Sequence, residues 1–353
     1  MSAETHYERP ASPAKGRHLI TFGLLFLAAA LGLLLFYADG MKLLEAATSV
    51  SWTRFLLPIA ATLLSYVLMA LSYDGIAAAA HHPVGLGPML RITFVSNTVN
   101  YIVATGGISG FAVRMYFFQR QGIPVSRAVT ISFVQGLLTN LALLVFLVLG
   151  FYFLVRQETL GTVAVIAAGT VLGLFVLIMA LCVILFVRSG IRRRMLLRGG
   201  YLLHRVGERL LPEGKAPSRM KIWRLAHNVD QGFGFLVSHW PRMIAPTVYI
   251  LLDWVATLAV LWGCFWSVGL NVPPALVTVG FAVAILSSMI SIAPGGIGIM
   301  EGLTTALFAS LGTPLAETVI ALILFRLSYY ALPFVVSLVF FRGMFEDARA
   351  HSS

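Results

Sequence analysis

The chain has 353 residues, of which 59 % are hydrophobic and 11 % charged, with a mean hydropathy of +0.89. A water-soluble domain of this size cannot hide so much apolar surface, which excludes soluble enzyme classes built on an exposed polar shell. The net charge of +11 would suggest a nucleic-acid partner in a soluble protein, but here the basic residues follow a membrane pattern and no nucleic acid is expected.

Arg9, Lys15 and Arg17 precede a first apolar run at 19–37. This run lacks a small-residue cleavage site and is followed by further runs, so it reads as a span rather than a leader. Runs at 55–73, 128–155, 162–187, 243–266 and 315–341 are also long enough to cross a hydrocarbon core, giving about six full spans in an all-α polytopic membrane protein. Arg120 and Arg127 precede the 128–155 run, a dense basic group occupies 188–224, and Arg342 closes the last run. The loops near 38–54, 156–161, 267–274 and 312–317 carry only Lys42, Arg54 and Arg156. This bias places both termini and the 188–242 loop in the cytoplasm. Residues 1–342 read as a single membrane domain and 343–353 as a cytoplasmic tail.

Two glycine pairs, Gly106-Gly107 and Gly295-Gly296, interrupt apolar segments at 89–119 and 275–311. Broken hydrophobic segments at corresponding places in two halves point to the central site of a membrane transporter. On this reading both segments are re-entrant pairs of half-helices. Residues 55–155 and 243–341 then form two units of inverted topology. The alternative is that 89–105 and 275–293 are ordinary short spans with their glycines in loops. The basic loop at 188–242 also has two readings, an amphipathic helix on an anionic leaflet or a solvated cytoplasmic segment.

The charged residues inside the apolar segments are the candidate binding residues. Arg114 follows the first glycine pair and can offer a forked set of donors to a lipid phosphate, or else snorkel or pair with a carboxylate. Glu301 follows the second pair, where a helix N-terminus stabilises a carboxylate. Arg326 lies mid-span, and a Glu301–Arg326 ion pair would relieve the cost of burying either, in the service of substrate or of architecture. Asp253 lies deep in the 243–266 run and could face Arg114 or Arg326, whereas Asp74 marks an interface. Asn97, Asn100 and Tyr101 form a polar strip on the first entering half-helix. Such strips face a cavity or hold helices together. There is no nucleotide-binding loop, nucleophile elbow or metal-ligand spacing, so neither a catalytic centre nor a cofactor or metal is expected. Cys182 and Cys264 read as packing residues.

The stretches Gly106-Gly107-Ile108-Ser109-Gly110 through Arg114, Pro294-Gly295-Gly296-Ile297-Gly298 through Glu301, and Phe325-Arg326-Leu327-Ser328-Tyr329-Tyr330 through Pro333 resemble those of the lysylphosphatidylglycerol synthase transmembrane family. The resemblance runs from about 19 to 342. The family includes the membrane domain of bacterial multiple peptide resistance proteins, which is thought to flip aminoacylated phosphatidylglycerol to the outer leaflet. That lipid repels antimicrobial cationic peptides. The chain ends at Ser353, soon after its last span, and departs from the two-domain members in lacking the soluble synthase domain. The resemblance therefore implies no aminoacyl transfer. It implies a lipid cavity between the two units, with Arg114 near the phosphate and Glu301 and Asp253 near any cationic head group. The glycine pairs Gly106, Gly107, Gly295 and Gly296 would shape that cavity.

The expectation is a flippase-like lipid translocase in a bacterial inner membrane, acting on phospholipid or aminoacylated phosphatidylglycerol and powered by the lipid gradient, the membrane potential or coupled protons. A secondary transporter of a small anionic or amphipathic solute is the alternative, as is a non-transporting lipid-binding accessory protein. A second copy of the chain and a separate lipid-modifying enzyme are the candidate protein partners.

Overall fold

The computed structural model describes residues 40–103, 108–156, 162–210, 218–290, 296 and 298–350; the first expected span, at 19–37, lies outside them. In chain order the elements are α1 Gly40–Thr48, α2 Trp52–Ala79, α3 Leu86–Ile102, α4 Ile108–Arg120, α5 Val125–Arg156, α6 Thr162–Val187, α7 Ser189–Leu210, α8 Arg219–Ser238, α9 Ile244–Ser267, α10 Pro274–Ile290, α11 Ile299–Ser310, α12 Leu315–Arg326 and α13 Leu332–Ala350. The described residues contain no strand, and the protein is an all-α polytopic membrane protein.

Five stretches are long and apolar enough to cross a membrane: Trp52–Ala79, Val125–Arg156, Val165–Val187, Trp240–Ser267 and Leu315–Phe341. They agree with the five expected spans inside the described region. The last is not a continuous α-helix, because a π-helical turn at Leu327–Ala331 joins α12 to α13. Helix α6 exposes Ile166, Leu174, Ile178, Leu181, Ile184 and Val187. A helix that is apolar and exposed around most of its circumference is solvated by lipid tails rather than by water.

The centre of the molecule is an antiparallel pair, α2 against α9. Small residues let the backbones approach, as in other membrane helix pairs. A Cβ added at Gly75 would lie 2.9 Å from Pro246 Cγ, and one at Gly263 would lie 2.8 Å from Pro58 Cδ. The two contacts are reciprocal: Pro58 and Gly75 are 17 positions apart, and so are Pro246 and Gly263.

On either side, α3 with α4 and α10 with α11 each fold back as a helical pair. Ser109 at the start of α4 donates to the Val99 and Val103 carbonyls of α3, and a Cβ at Gly110 would come within 2.7 Å of Asn100 Cβ. In the second pair Gly280 of α10 lies against the Phe308 ring of α11. The arms have 17, 13, 17 and 12 residues. At 1.5 Å per residue they rise about 26, 20, 26 and 18 Å, short of a hydrocarbon core of about 30 Å.

The helices leaving these pairs end alike. Gly122 after α4 and Gly312 after α11 take left-handed φ values of 77° and 84°. The next residue in each case, Ile123 or Thr313, donates its amide at 3.0 Å to the carbonyl of a fully buried phenylalanine, Phe118 or Phe308. This is the Schellman closure, which needs a residue without a Cβ penalty at the glycine position. Proline follows in both, Pro124 or Pro314, and opens the next helix.

Two apolar cores lie at opposite ends of the α2–α9 pair. One joins the Ala70–Ala80 end of α2 to α3, α4, the start of α5 and α8. The other joins the Phe55 end of α2 to α1, the ends of α5 and α9, and α10 to α12. Each helical pair is also cradled by a long helix of the other half. Gly150 of α5 lies against Ala282 and Thr278 of α10, and Phe340 of α13 meets Phe94 of α3 with ring centroids 5.6 Å apart.

A buried polar seam along the central helix pair

Three of the candidate residues, Asp253, Asn97 and Arg114, meet α2. Ser65, Met69 and Tyr73 follow one another at four-residue intervals and so line up along the helix. Ser65 hydrogen-bonds Asp253 of α9, Met69 meets the Asn97 amide of α3, and the Tyr73 ring lies under the Arg114 guanidinium of α4. Ser65 and Tyr73 are two helical turns apart, or about 12 Å along the axis.

Arg114 is nine-tenths buried. Its guanidinium carbon is 4.3 Å from the Tyr73 ring centroid, and one terminal nitrogen donates to Ser96 Oγ at 3.3 Å and Asn97 Oδ1 at 3.5 Å. Among the described residues its Nε has no hydrogen-bond partner and no carboxylate pairs with it. The cation–π contact returns about 0.5–2 kcal/mol, which falls short of the several kcal/mol that removing a lone cation from water costs. Among the described residues, further buried hydrogen-bonding atoms on α2 and α3 are also without a protein partner: Thr62 Oγ1 and Tyr66 Oη on α2, and Thr93 Oγ1 and Asn100 Oδ1 on α3. A native interior leaves few such groups, and each calls for water or a polar ligand atom to complete its bonding.

Glu301 and Arg326 form the buried ion pair expected of them. Glu301 stands on the first turn of α11, where it also accepts the Gly298 amide at 2.8 Å, the carboxylate half of a capping box. Arg326 lies with its guanidinium carbon 4.4 Å from the Tyr330 ring centroid. Gly296 and Gly298, which shape the backbone entering α11, have φ values of 71° and 83°. Gly106, Gly107 and Gly295 lie outside the described residues.

Asp253 faces hydroxyl groups. Ser65 is its hydrogen-bond partner, Thr257 Oγ1 lies 3.5 Å from Ser65 Oγ, and Thr257 reaches Tyr329 Oη at 3.4 Å. Tyr329 continues an aromatic group with Tyr66, Tyr101 and Tyr330, at centroid separations of 6.4, 6.5 and 5.8 Å. Asp74, near the end of α2, accepts the amides of Val84 and Gly85 at 2.9 Å and so closes the turn into α3.

Sequence reasoning singled out Tyr101, Tyr329 and Tyr330 separately but did not bring them together with Tyr66, because single aromatic residues in membrane segments carry little information. It also missed Ser65. The spacing of four between Ser65, Met69 and Tyr73 was the available signal.

A family model for the lysylphosphatidylglycerol synthase TM region matches residues 20–337. The chain belongs to this family. A phosphatidylglycerol lysyltransferase from Staphylococcus aureus (strain MRSA252) is 22 % identical over 282 residues, covering 78 % of this chain and 27 % of that protein. Another, from Staphylococcus haemolyticus (strain JCSC1435), is 31 % identical over 93 residues, covering 26 % of this chain and 11 % of that protein. The chain thus spans little more than a quarter of the first relative, and the family's matched region is its transmembrane part.

Proposed function

We propose that this protein is a lipid translocase that carries an anionic or aminoacylated phosphatidylglycerol head group across a bacterial inner membrane. The observation that carries the reading is Arg114: a buried guanidinium that pairs with no carboxylate among the described residues, held by Ser96, Asn97 and the Tyr73 ring with its Nε unpartnered, in a chain whose relatives are named for phosphatidylglycerol. A phosphodiester supplies the missing charge and accepts the forked donors. Moving a head group through hydrocarbon is slow because its charges lose water, and fixed buried charges lower that barrier.

In this reading the two helical pairs are re-entrant from opposite faces. Residues 55–155 and 243–341 are the inverted units, and α2 with α9 forms the seam between them. The reciprocal Pro–Gly contacts, the matching closures at Gly122 and Gly312 and the two end cores support that division. Helices α7 and α8 lie on the cytoplasmic side, with exposed Arg193, Arg194, Arg198, Arg219, Lys221 and Arg224 beside the anionic leaflet. The chain's part is transport rather than aminoacyl transfer.

The test is reconstitution in liposomes with head-group-labelled phosphatidylglycerol or its lysyl form, following access of the label to an external quencher. Exchange between leaflets well above that of empty liposomes supports the reading. Folded protein that moves neither lipid, nor other anionic phospholipids, overturns it in favour of solute transport or an accessory role.

A further inference from the structure

Asp253 is a buried carboxyl, 5 % exposed, that faces hydroxyls rather than either candidate arginine. Among the described residues it takes part in no ion pair. The ionisable groups facing its surroundings are Tyr66 from α2, Tyr101 from α3, and Tyr329 and Tyr330 from the π-helical turn. Arg326 is engaged by Glu301, and Cys264 on α9 faces Ser328. Their arrangement supplies hydroxyls and aromatic edges but no cation dedicated to Asp253.

A lone ionised carboxylate in such a place costs several kcal/mol, whereas the neutral acid needs only hydrogen bonds. The groups around Asp253 suit the neutral acid. Each of Ser65, Thr257 and Tyr329 can both donate and accept, so the row of hydroxyls can reverse direction when a proton arrives or leaves. Location adds to this. Ser65 and Asp253 lie between the two Pro–Gly contacts, on the seam where α2 and α9 meet. Any rocking of one half on the other changes what this carboxyl touches.

We infer that Asp253 is a proton-binding site on the seam between the two halves. It is protonated when α2 and α9 are packed as here, and its proton is taken up and released as the seam moves. The step is a simple protonation: a carboxylate oxygen gains an O–H bond with a proton from the water on one face and loses it to water on the other, with no electron transfer. Resting on the translocase reading, this couples one proton to each lipid carried.

Two measurements on the full chain in liposomes test it. Infrared difference spectra should show a neutral carboxylic-acid C=O band at neutral pH that moves in heavy water, is lost in Asp253→Asn and reappears displaced in Asp253→Glu. Absence of any such band at every pH where the wild type stays folded overturns the proton site. In the second, a gradient of one pH unit should bias labelled lipid between leaflets by up to about tenfold in the wild type, the factor set by one coupled proton. Asp253→Asn should abolish the bias. Lipid exchange that ignores the gradient in the wild type overturns the coupling while leaving the translocase reading intact. If no lipid moves, the translocase reading and the coupling fall together, and the infrared band alone decides the proton site.

Discussion

Removing one partner of the Glu301–Arg326 pair should cost far more than removing both. The pair is almost completely enclosed, with side-chain exposures of 3 % for Glu301 and 8 % for Arg326. Stranding one charge of a buried pair typically costs about 3–5 kcal/mol. Glu301→Gln keeps an oxygen for the Gly298 amide, so the start of α11 survives, but Arg326 loses its charged partner while its Tyr330 contact, worth about 0.5–2 kcal/mol, stays. The expected loss is about 2–4 kcal/mol. Arg326→Met strands the carboxylate at a helix N-terminus, which returns about 1–2 kcal/mol, so a similar loss is expected. The double variant buries no charge and should lose less than either single variant, leaving a coupling energy of about 3 kcal/mol. Reversible unfolding in mixed detergent micelles, followed by helical circular dichroism, measures all four proteins. Losses that add within about 0.5 kcal/mol would show that the two charges do not support one another and refute the reasoning.

The reciprocal seam makes a paired prediction. Gly75→Val and Gly263→Val each push a side chain into a proline ring now 2.8–2.9 Å from the ideal Cβ position. Each should lose about 1–3 kcal/mol, by similar amounts, in the same unfolding assay. If only one is costly, the seam lacks the symmetry argued for it. Arg192 bridges α7 and α8 through Asp230 at 2.6 Å and holds the Phe186 carbonyl at the end of α6. Asp230→Asn should loosen α7 and raise the rate of limited proteolysis between residues 189 and 238 several-fold, and an unchanged digestion pattern would argue against this tie. At Arg114, lysine keeps the charge but loses the fork and the flat stacking face, so Arg114→Lys should recover only part of the lipid binding that Arg114→Ala loses, as read by native mass spectrometry with phosphatidylglycerol.

Much of this architecture was legible in the sequence because hydrocarbon permits few solutions. Long apolar runs matched the spans among the described residues, and the short apolar segments at 89–119 and 275–311 each contain a pair of packed helices. The Glu301–Arg326 pair followed from the cost of leaving either charge alone. The remainder depends on contacts between distant segments. Nothing local in Pro58 or Gly75 announces that each meets its counterpart from Gly263 or Pro246, although the repeated spacing of 17 was there to be seen. The partner of Asp253 was open in the sequence, with Arg114 and Arg326 as candidates; the structure places it among Ser65, Thr257 and Tyr329, hydroxyls that suit a neutral acid. The π-helical turn at Leu327–Ala331 was not foreseen, although Pro333, which has no amide to give the preceding turn, was the local signal for it.

The most direct test of the central claim is the leaflet-exchange rate of labelled phosphatidylglycerol in liposomes carrying matched amounts of wild type and Arg114→Ala, both shown to be folded. A guanidinium that meets the phosphate in passage predicts rapid exchange in the wild type and a loss of at least tenfold in the variant, the equivalent of about 1.4 kcal/mol in the barrier. Equal rates in the two proteins would contradict it and remove Arg114 from the path of the lipid.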